Sequence, residues 1–319
     1  MHHPVVKLIA QRVALGIVLL LAISVLIFAG TQILPGDVAQ AILGQQATPT
    51  ALANLRAQMG LGEPAYIRYF HWLFAFIHGD LGKSLANGQD IASEIGERLK
   101  NTLFLAAVSA AIITPLSIVL GLVAALYENR WPDKLISAVT LATISLPEFL
   151  LGYILIFFFA VEYPIAPSVS TVFDSMSFLD KLHAIILPVA VLVLVSVGHT
   201  MRMTRAAILN VMESAYIETA ELKGIRPFRV ILMHAFPNAI SPVVNVLMVD
   251  LAYLVVGVVV TEVVFVYPGM GQYLVDHVAK RDVPVVQAVG LIFAAVYIAL
   301  NMVADIVSIL SNPRLRHPK

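Results

Sequence analysis

The chain has 319 residues, of which 59% are hydrophobic and 13% charged, and its mean hydropathy is +0.88. That balance excludes an ordinary soluble domain and points to a membrane protein. The 20 basic and 20 acidic residues cancel, which argues against a nucleic-acid partner, and the lack of cysteine excludes disulfides and thiolate metal sites.

Apolar runs long enough to cross a bilayer, which takes about 20 residues, occur six times, at 13–33, 103–126, 135–161, 182–201, 243–264 and 285–310. The first exceeds a secretory h-region of about 7–15 residues and no small-x-small cleavage site follows, so it reads as a retained anchor. Pro115 and Pro188 lie inside two runs, where neighbouring helices re-satisfy freed carbonyls. Gly152, Gly198, Gly257 and Gly290 would permit close helix approach. The expected fold is therefore an all-α integral membrane protein of six transmembrane helices.

Three parts are expected along the chain: 1–33 with the first span, a structured loop over 34–101, and a five-helix core over 102–319. In the loop, Thr48-Pro49 reads as an N-cap followed by proline at N1. Leu52, Leu55 and Met59 then share a helical face, and Gly60 closes it. A second amphipathic stretch carries Ile67, Phe70, Phe74 and Ile77 on one stripe. Tyr66, Tyr69 and Trp72 beside it suit a membrane–water interface, which makes membrane lipid a partner. A cap over the outer ends of the spans accounts for such a loop better than a catalytic domain.

Short-loop charge sets the expected orientation. Lys7 and Arg12 precede the first span and place the N-terminus inside. Alternation then puts Arg130, Lys134, Arg202, Arg205, Lys223, Arg226, Arg229, Arg314, Arg316 and Lys319 in the cytoplasm, with the C-terminus. The short external loops hold only Lys181, Lys280 and Arg281.

The segment 202–242 is a charged block between two apolar runs. Over 214–223, Ile217, Ala220 and Gly224 share a helical face, Gly224 stands where a left-handed turn would end the helix, and Pro227 starts a second short helix. The reading is a helix–turn–helix at the membrane surface with a small-residue docking face; an ordinary amphipathic hairpin is the alternative.

Ionisable residues within the spans are expensive and usually face a cavity, a polar partner or a helix end. Asp250 is read either as a translocation-path residue or as an interhelical hydrogen-bonding group, Asp305 as lying near the cytoplasmic interface, and Glu148 as undecided. His199, Arg202 and Arg205 at the inner end of the fourth run read as lipid-phosphate or acidic-partner contacts. No HExxH, GxGD or Walker A sequence occurs, so a zinc protease, an intramembrane aspartyl protease and a self-sufficient ATPase are not supported.

The 214–242 block resembles the cytoplasmic coupling loop of permease subunits in binding-protein-dependent ABC importers. That pattern is Glu-Ala-Ala, a glycine four residues after the second alanine, and Leu-Pro twelve and thirteen residues beyond the glycine. Glu218, Ala220, Gly224 and Pro237 match in register, while Thr219 and Phe236 depart mildly. Leu34-Pro35-Gly36-Asp37, Met59-Gly60-Leu61, Gly79-Asp80-Leu81-Gly82-Lys83-Ser84, Arg98-Leu99 and Thr102-Leu103 are similar to the dipeptide/oligopeptide/nickel branch. Glu262, Phe265, Pro268-Gly269-Met270-Gly271 and Arg281-Asp282-Val283-Pro284 extend the likeness along nearly the whole chain. Glu221-Leu222 departs from the usual Arg-Ala and reverses a charge on the coupling helix.

The resemblance implies a non-enzymatic inner-membrane subunit with no cofactor of its own. Its implied partners are a second, similar permease, two cytoplasmic ATPase subunits that use ATP, and an external substrate-binding protein. It implies ATPase coupling through Glu218, Ala220, Gly224 and Pro237. Short peptides or peptide-like solutes are the expected substrate, since His199 and His183 offer few ligands for a metal. A nickel-chelate or other small-solute permease, or a secondary transporter, is the alternative.

Overall fold

The computed structural model describes residues 4–33, 40, 47–58, 60 and 62–311. The 34–37 motif, Met59, Leu61 and the tail bases Arg314, Arg316 and Lys319 lie outside the described residues. Apart from an isolated antiparallel bridge between Lys83 and Asp90, the described residues form no strand.

The first helix, α1 (Pro4–Gln32), packs against the last. Among the described residues, the short helices α2 (Pro49–Gln58) and α3 (Ala65–Ile77) follow. Thr48 Oγ1 accepts from Ala51 N–H at 3.2 Å and so caps α2. In α3, Tyr69 and Trp72 turn inward onto Phe28 of α1, with ring centroids 5.4 and 5.9 Å away, and the Tyr69 and Ser24 hydroxyls share a 2.8 Å hydrogen bond. Tyr66, Phe70, Phe74 and Ile77 form the exposed stripe.

Helix α4 (Ile91–Leu126) is 36 residues long and begins a full three turns before the apolar run expected at 103. Asp90 caps it by accepting from Ser93 N–H at 3.0 Å, and Ile91 and Ile95 supply a buried stripe that extends the helix beyond the bilayer-length segment. Pro115 lies inside without breaking it.

The run expected as one span at 135–161 is instead two helices, α5 (Trp131–Ser145) and α6 (Glu148–Ile156), the second continuing as a π-helical turn over Phe157–Glu162. They meet at 99°. Pro147 is the cause: it lacks an N–H, and its ring drives Leu146 out of the helical region to φ −89°, ψ 135°. Among the described residues there are therefore five helices long and apolar enough to cross a membrane, or six if this bent pair counts as one.

After α7 (Phe178–Ala184), helix α8 (Ile186–Met212) forms the centre, packing on α4, α5, α6 and the fifth-span helix. Its approach to α4 depends on Gly121, where a Cβ would lie 2.8 Å from Thr204 and 3.0 Å from the Met201 carbonyl. Gly198 similarly admits Thr140 and Ile144 of α5. Gly152 meets Val264 in the same way, whereas Gly257 faces Tyr253 of its own helix and Gly290 makes only ordinary contact with Ile27.

Beyond the short helices α9 (Ala215–Leu222) and α10 (Pro227–Val230), a π-helical turn over Ile231–Ala235 leads into α11 (Phe236–Gly257). Pro237 cannot donate an α-helical hydrogen bond, and the widened turn sits immediately before it. The chain then runs through α12 (Val259–Val264), α13 (Met270–Ala279) and α14 (Val283–Ser311). Helices α1 and α14 lie antiparallel, joined by Arg12–Asp305 at 3.0 Å near one end and Gln287 Nε2 donating to Thr31 Oγ1 at 2.7 Å near the other.

Two buried carboxylates close the end of the bundle that carries the first loop. Glu262 accepts from Thr102 Oγ1 at 2.6 Å, Gly271 N–H at 2.7 Å and Gln272 N–H at 3.2 Å. Pro268-Gly269-Met270-Gly271 is explained by this contact, because a Cβ on Gly269 would overlap the Glu262 carboxylate and one on Gly271 would lie 2.7 Å from Val259 Cα. Tyr267 donates to the Asn101 carbonyl at 2.7 Å. Burial, helped by the nearby Glu262 charge, pushes the Tyr267 hydroxyl upward, so it remains a donor. Asp282, fully buried, accepts from Ser84 Oγ at 2.5 Å, Leu85 N–H at 3.1 Å and Ala86 N–H at 3.2 Å.

Asp282→Ala removes three hydrogen bonds to a buried acid and should destabilise the protein by about 3 kcal/mol. Ser84→Ala should cost about 1–2 kcal/mol. Thermal unfolding in detergent, together with proteolysis of the 83–90 turn, measures both; an unchanged midpoint and unchanged cleavage for Asp282→Ala would show that the latch is not structural.

Candidate functional site

The hairpin between α8 and α11 is shorter than the 202–242 block, because α8 runs on to Met212 and α11 starts at Phe236. Helix α9 ends in a Schellman turn. Gly224 N–H bonds the Glu221 carbonyl at 2.8 Å, Ile225 N–H bonds the Ala220 carbonyl at 3.3 Å, and Gly224 has φ +75°. No heavy atom lies within 4 Å of a Cβ added there, so glycine is required by backbone conformation and not by space.

Ile217 and Ala220 are buried against Ala125 of α4, Ile208 of α8 and Val230, Ile231 and Ala235. Ala220 therefore holds the hairpin to the bundle and does not share an open docking face with Gly224, which is exposed. The surface open to a partner consists of Glu218, Glu221, Leu222 and Gly224, continuing to Phe228 and Met233. Leu222 is 82% exposed. Beside it, Gly224, Arg226, Phe228, Arg229 and Leu232 line a cleft of about 740 Å³. Pro237 is exposed at the start of α11.

The intramembrane ions fall into different settings. Arg205 pairs within the chain. It grips Asp133 with two of its three guanidinium nitrogens, Nε to Oδ1 at 2.9 Å and Nη2 to Oδ2 at 2.8 Å, and Asn129 N–H adds a third bond at 2.9 Å. Arg202 is exposed on the same helix. Glu148 accepts from Thr261 and ties α6 to α12, and Asp305 pairs with Arg12. Asp250 accepts from Thr200 of α8 and lines a cavity with His199, so it makes the interhelical bond and borders open space together. Among the described residues no group of three or more His, Asp or Glu is disposed to hold a metal ion.

Glu262 and Asp282 have no physical role that their sequence neighbours alone assign. The Pro-Gly-Met-Gly run was the available signal for Glu262, since closely spaced glycines at a helix start mark tight approach to an anion. Pro147 was the signal for the bent span.

Comparison with known proteins adds the family. The family described as "Binding-protein-dependent transport system inner membrane component" matches residues 117–317, which include the hairpin and Asp250, and its N-terminal companion family matches residues 5–106. The chain belongs to this family. It is thus a multi-pass inner-membrane permease component of an ABC importer, a class that implies separate ATPase and substrate-binding proteins.

A putative peptide transport system permease protein of Brucella abortus is 36% identical over 310 residues, covering 97% of this chain and 99% of that protein. The glutathione transport system permease protein of Escherichia coli K12 is 35% identical over 298 residues, covering 93% of this chain and 95% of its own. A chain of the MetNI methionine ABC transporter, in an inward-facing conformation, shares the fold with a TM-score of 0.53 at 17% identity, covering 68% of this chain and 96% of that one.

Asp133→Ala leaves Arg205 and the Asn129 amide without their acceptor and should cost about 3 kcal/mol. Combining it with Arg205→Met should recover part of that loss. Thermal unfolding of the two single variants and the double variant decides it: strictly additive losses would mean the pair carries no coupling energy.

Proposed function

We propose that this chain translocates short peptides or peptide-like solutes as one of two similar permeases, served by two cytoplasmic ATPase subunits and an external binding protein. The near full-length likeness to relatives named for peptide and glutathione transport carries the reading. Glutathione is itself a tripeptide, so the two names describe one substrate chemistry. ATP is bound and hydrolysed by the partner subunits, and this chain holds no cofactor. Both termini and the 213–235 hairpin lie in the cytoplasm, as short-loop charge favours.

In this reading the hairpin couples ATP hydrolysis to transport. Glu218 on the exposed side of α9 and the glycine turn at Gly224 meet the ATPase. Ala220 and its neighbour Ile217 transmit the resulting movement to α4 and α8, against which they pack. Pro237 starts the fifth-span helix next to the π-helical turn, where the same movement reaches α11.

Orientation is tested by single cysteines in a chain that has none of its own. Cysteines at Asn87 and Ser177 should react with an impermeant thiol reagent once the outer membrane is opened, and one at Ser214 only after the inner membrane is breached. Outside labelling at Ser214 would reject both the orientation and the coupling assignment.

Coupling and substrate are tested in proteoliposomes holding the whole complex. Gly224→Val strains the left-handed turn by about 1–2 kcal/mol. It should leave assembly intact, cut ATP-driven uptake of labelled di- and tripeptides at least tenfold, and remove stimulation of hydrolysis by loaded binding protein. Wild-type uptake and stimulation in Gly224→Val would place coupling elsewhere. ATP-driven accumulation of a nickel chelate with no peptide uptake would reject the peptide substrate and leave the permease assignment standing.

A further inference from the structure

Asp250 stands in the wall of a cavity of about 330 Å³ where α8, α11 and α14 meet, with Ser196, His199, Val249, Tyr253 and Tyr297. That volume is at the small end of ligand pockets, roughly 300–1,000 Å³, and suits one end of a small solute. Thr200, fully buried behind the acid, donates to one carboxylate oxygen and fixes the group. Among the described residues that line the cavity, His199 is the basic side chain beside Asp250, and no lysine or arginine joins it. The mouth is formed by Val249, Tyr253 and Tyr297, which are 45%, 55% and 42% exposed.

Depth makes this arrangement informative. The apolar run alone put His199 at its inner end, but the helix continues to Met212, so His199 is the central residue of Ile186–Met212, and Asp250 and Tyr297 lie in the middle thirds of Pro242–Val264 and Val283–Val307. An acid that opened onto hydrocarbon there would be costly, so the mouth faces water or protein. Transport sites are commonly built at this depth from side chains of several helices. The chemistry of the lining is equally selective. A carboxylate is an acceptor-only anion, which suits an ammonium group with its three donors, and tyrosine ring faces attract the same cation.

We propose that this cavity is a mid-membrane subsite for the protonated amino terminus of a peptide-like substrate, with Asp250 as its counter-ion and Tyr253 and Tyr297 covering it. The inference rests on the peptide reading given above. It gives the permease a contact of its own with the substrate, separate from the selectivity of the binding protein.

The test uses the purified membrane complex in nanodiscs, without the binding protein, so that the latter's selectivity does not intervene. Equilibrium binding of radiolabelled trialanine and of N-acetyl-trialanine is compared. Trialanine should bind saturably and at least tenfold more tightly than the acetylated form. Asp250→Asn should abolish that difference by weakening trialanine alone, and Asp250→Glu should restore most of it. Equal binding of the two peptides to the wild-type complex, or no saturable binding of either, overturns the proposal without any variant. Equal weakening of both peptides by Asp250→Asn also overturns it, since a purely structural clamp would give that result. Uptake of trialanine by the complete ATP-driven system is measured alongside: uptake without amino-terminal discrimination sinks the subsite and spares the peptide reading, whereas no uptake sinks the peptide reading itself.

Discussion

The bond network around the Glu262 carboxylate is the constraint on which the rest of this bundle depends. A bare anion in a low-dielectric interior is prohibitively expensive, and Glu262 has no exposed surface at all. It is made tolerable by one hydroxyl from α4 and two backbone N–H groups at the start of α13, whose dipole also favours negative charge there. Because those donors come from separate elements, the acid fixes α4, α12 and α13 relative to one another. Asp282 repeats the device with a turn from the first loop. At this end of the molecule the elements are therefore tied together by buried charge.

The opposite end is organised differently. The hairpin is shaped by backbone geometry, a Schellman turn and a π-helical turn, and is held by apolar packing through Ile217 and Ala220. Its outward side keeps Leu222, Phe228 and Met233 exposed. Helix α8 links the two ends, gripping α5 through Arg205 and Asp133 and reaching α11 through Thr200 and Asp250. The same helix packs on the hairpin through Ile208 and borders the Asp250 cavity at its mid-point.

Much of this was legible in the sequence because it depends on neighbours along the chain. The apolar runs located the long helices, Thr48-Pro49 marked a helix start, and Gly224 marked a left-handed helix end. Features set by distant partners were not legible. Nothing local tells that Arg205 meets Asp133, or that Ala220 faces inward, since a small residue on an amphipathic helix fits either side. The bend at Pro147 was obscured because hydropathy is continuous across it, and hydropathy does not record backbone direction. The extensions of α4 and α8 beyond their apolar runs follow from polar and amphipathic turns that a bilayer-length window ignores. For the Asp250 site the acid itself was visible, while the cavity and the tyrosines from another helix required the fold.

Ser84 and Asp282 are separated by 198 residues, and that distance has a meaning for biogenesis. At a synthesis rate of about 5–20 residues per second, roughly 10–40 s pass between the emergence of the two partners. Throughout that interval the early turn has two backbone amides and a hydroxyl waiting for an acid not yet made. The latch can close only when α14 begins to take its place beside α13 and α1. A truncated product ending before Asp282 would therefore leave the Ser84 turn without its buried acceptor.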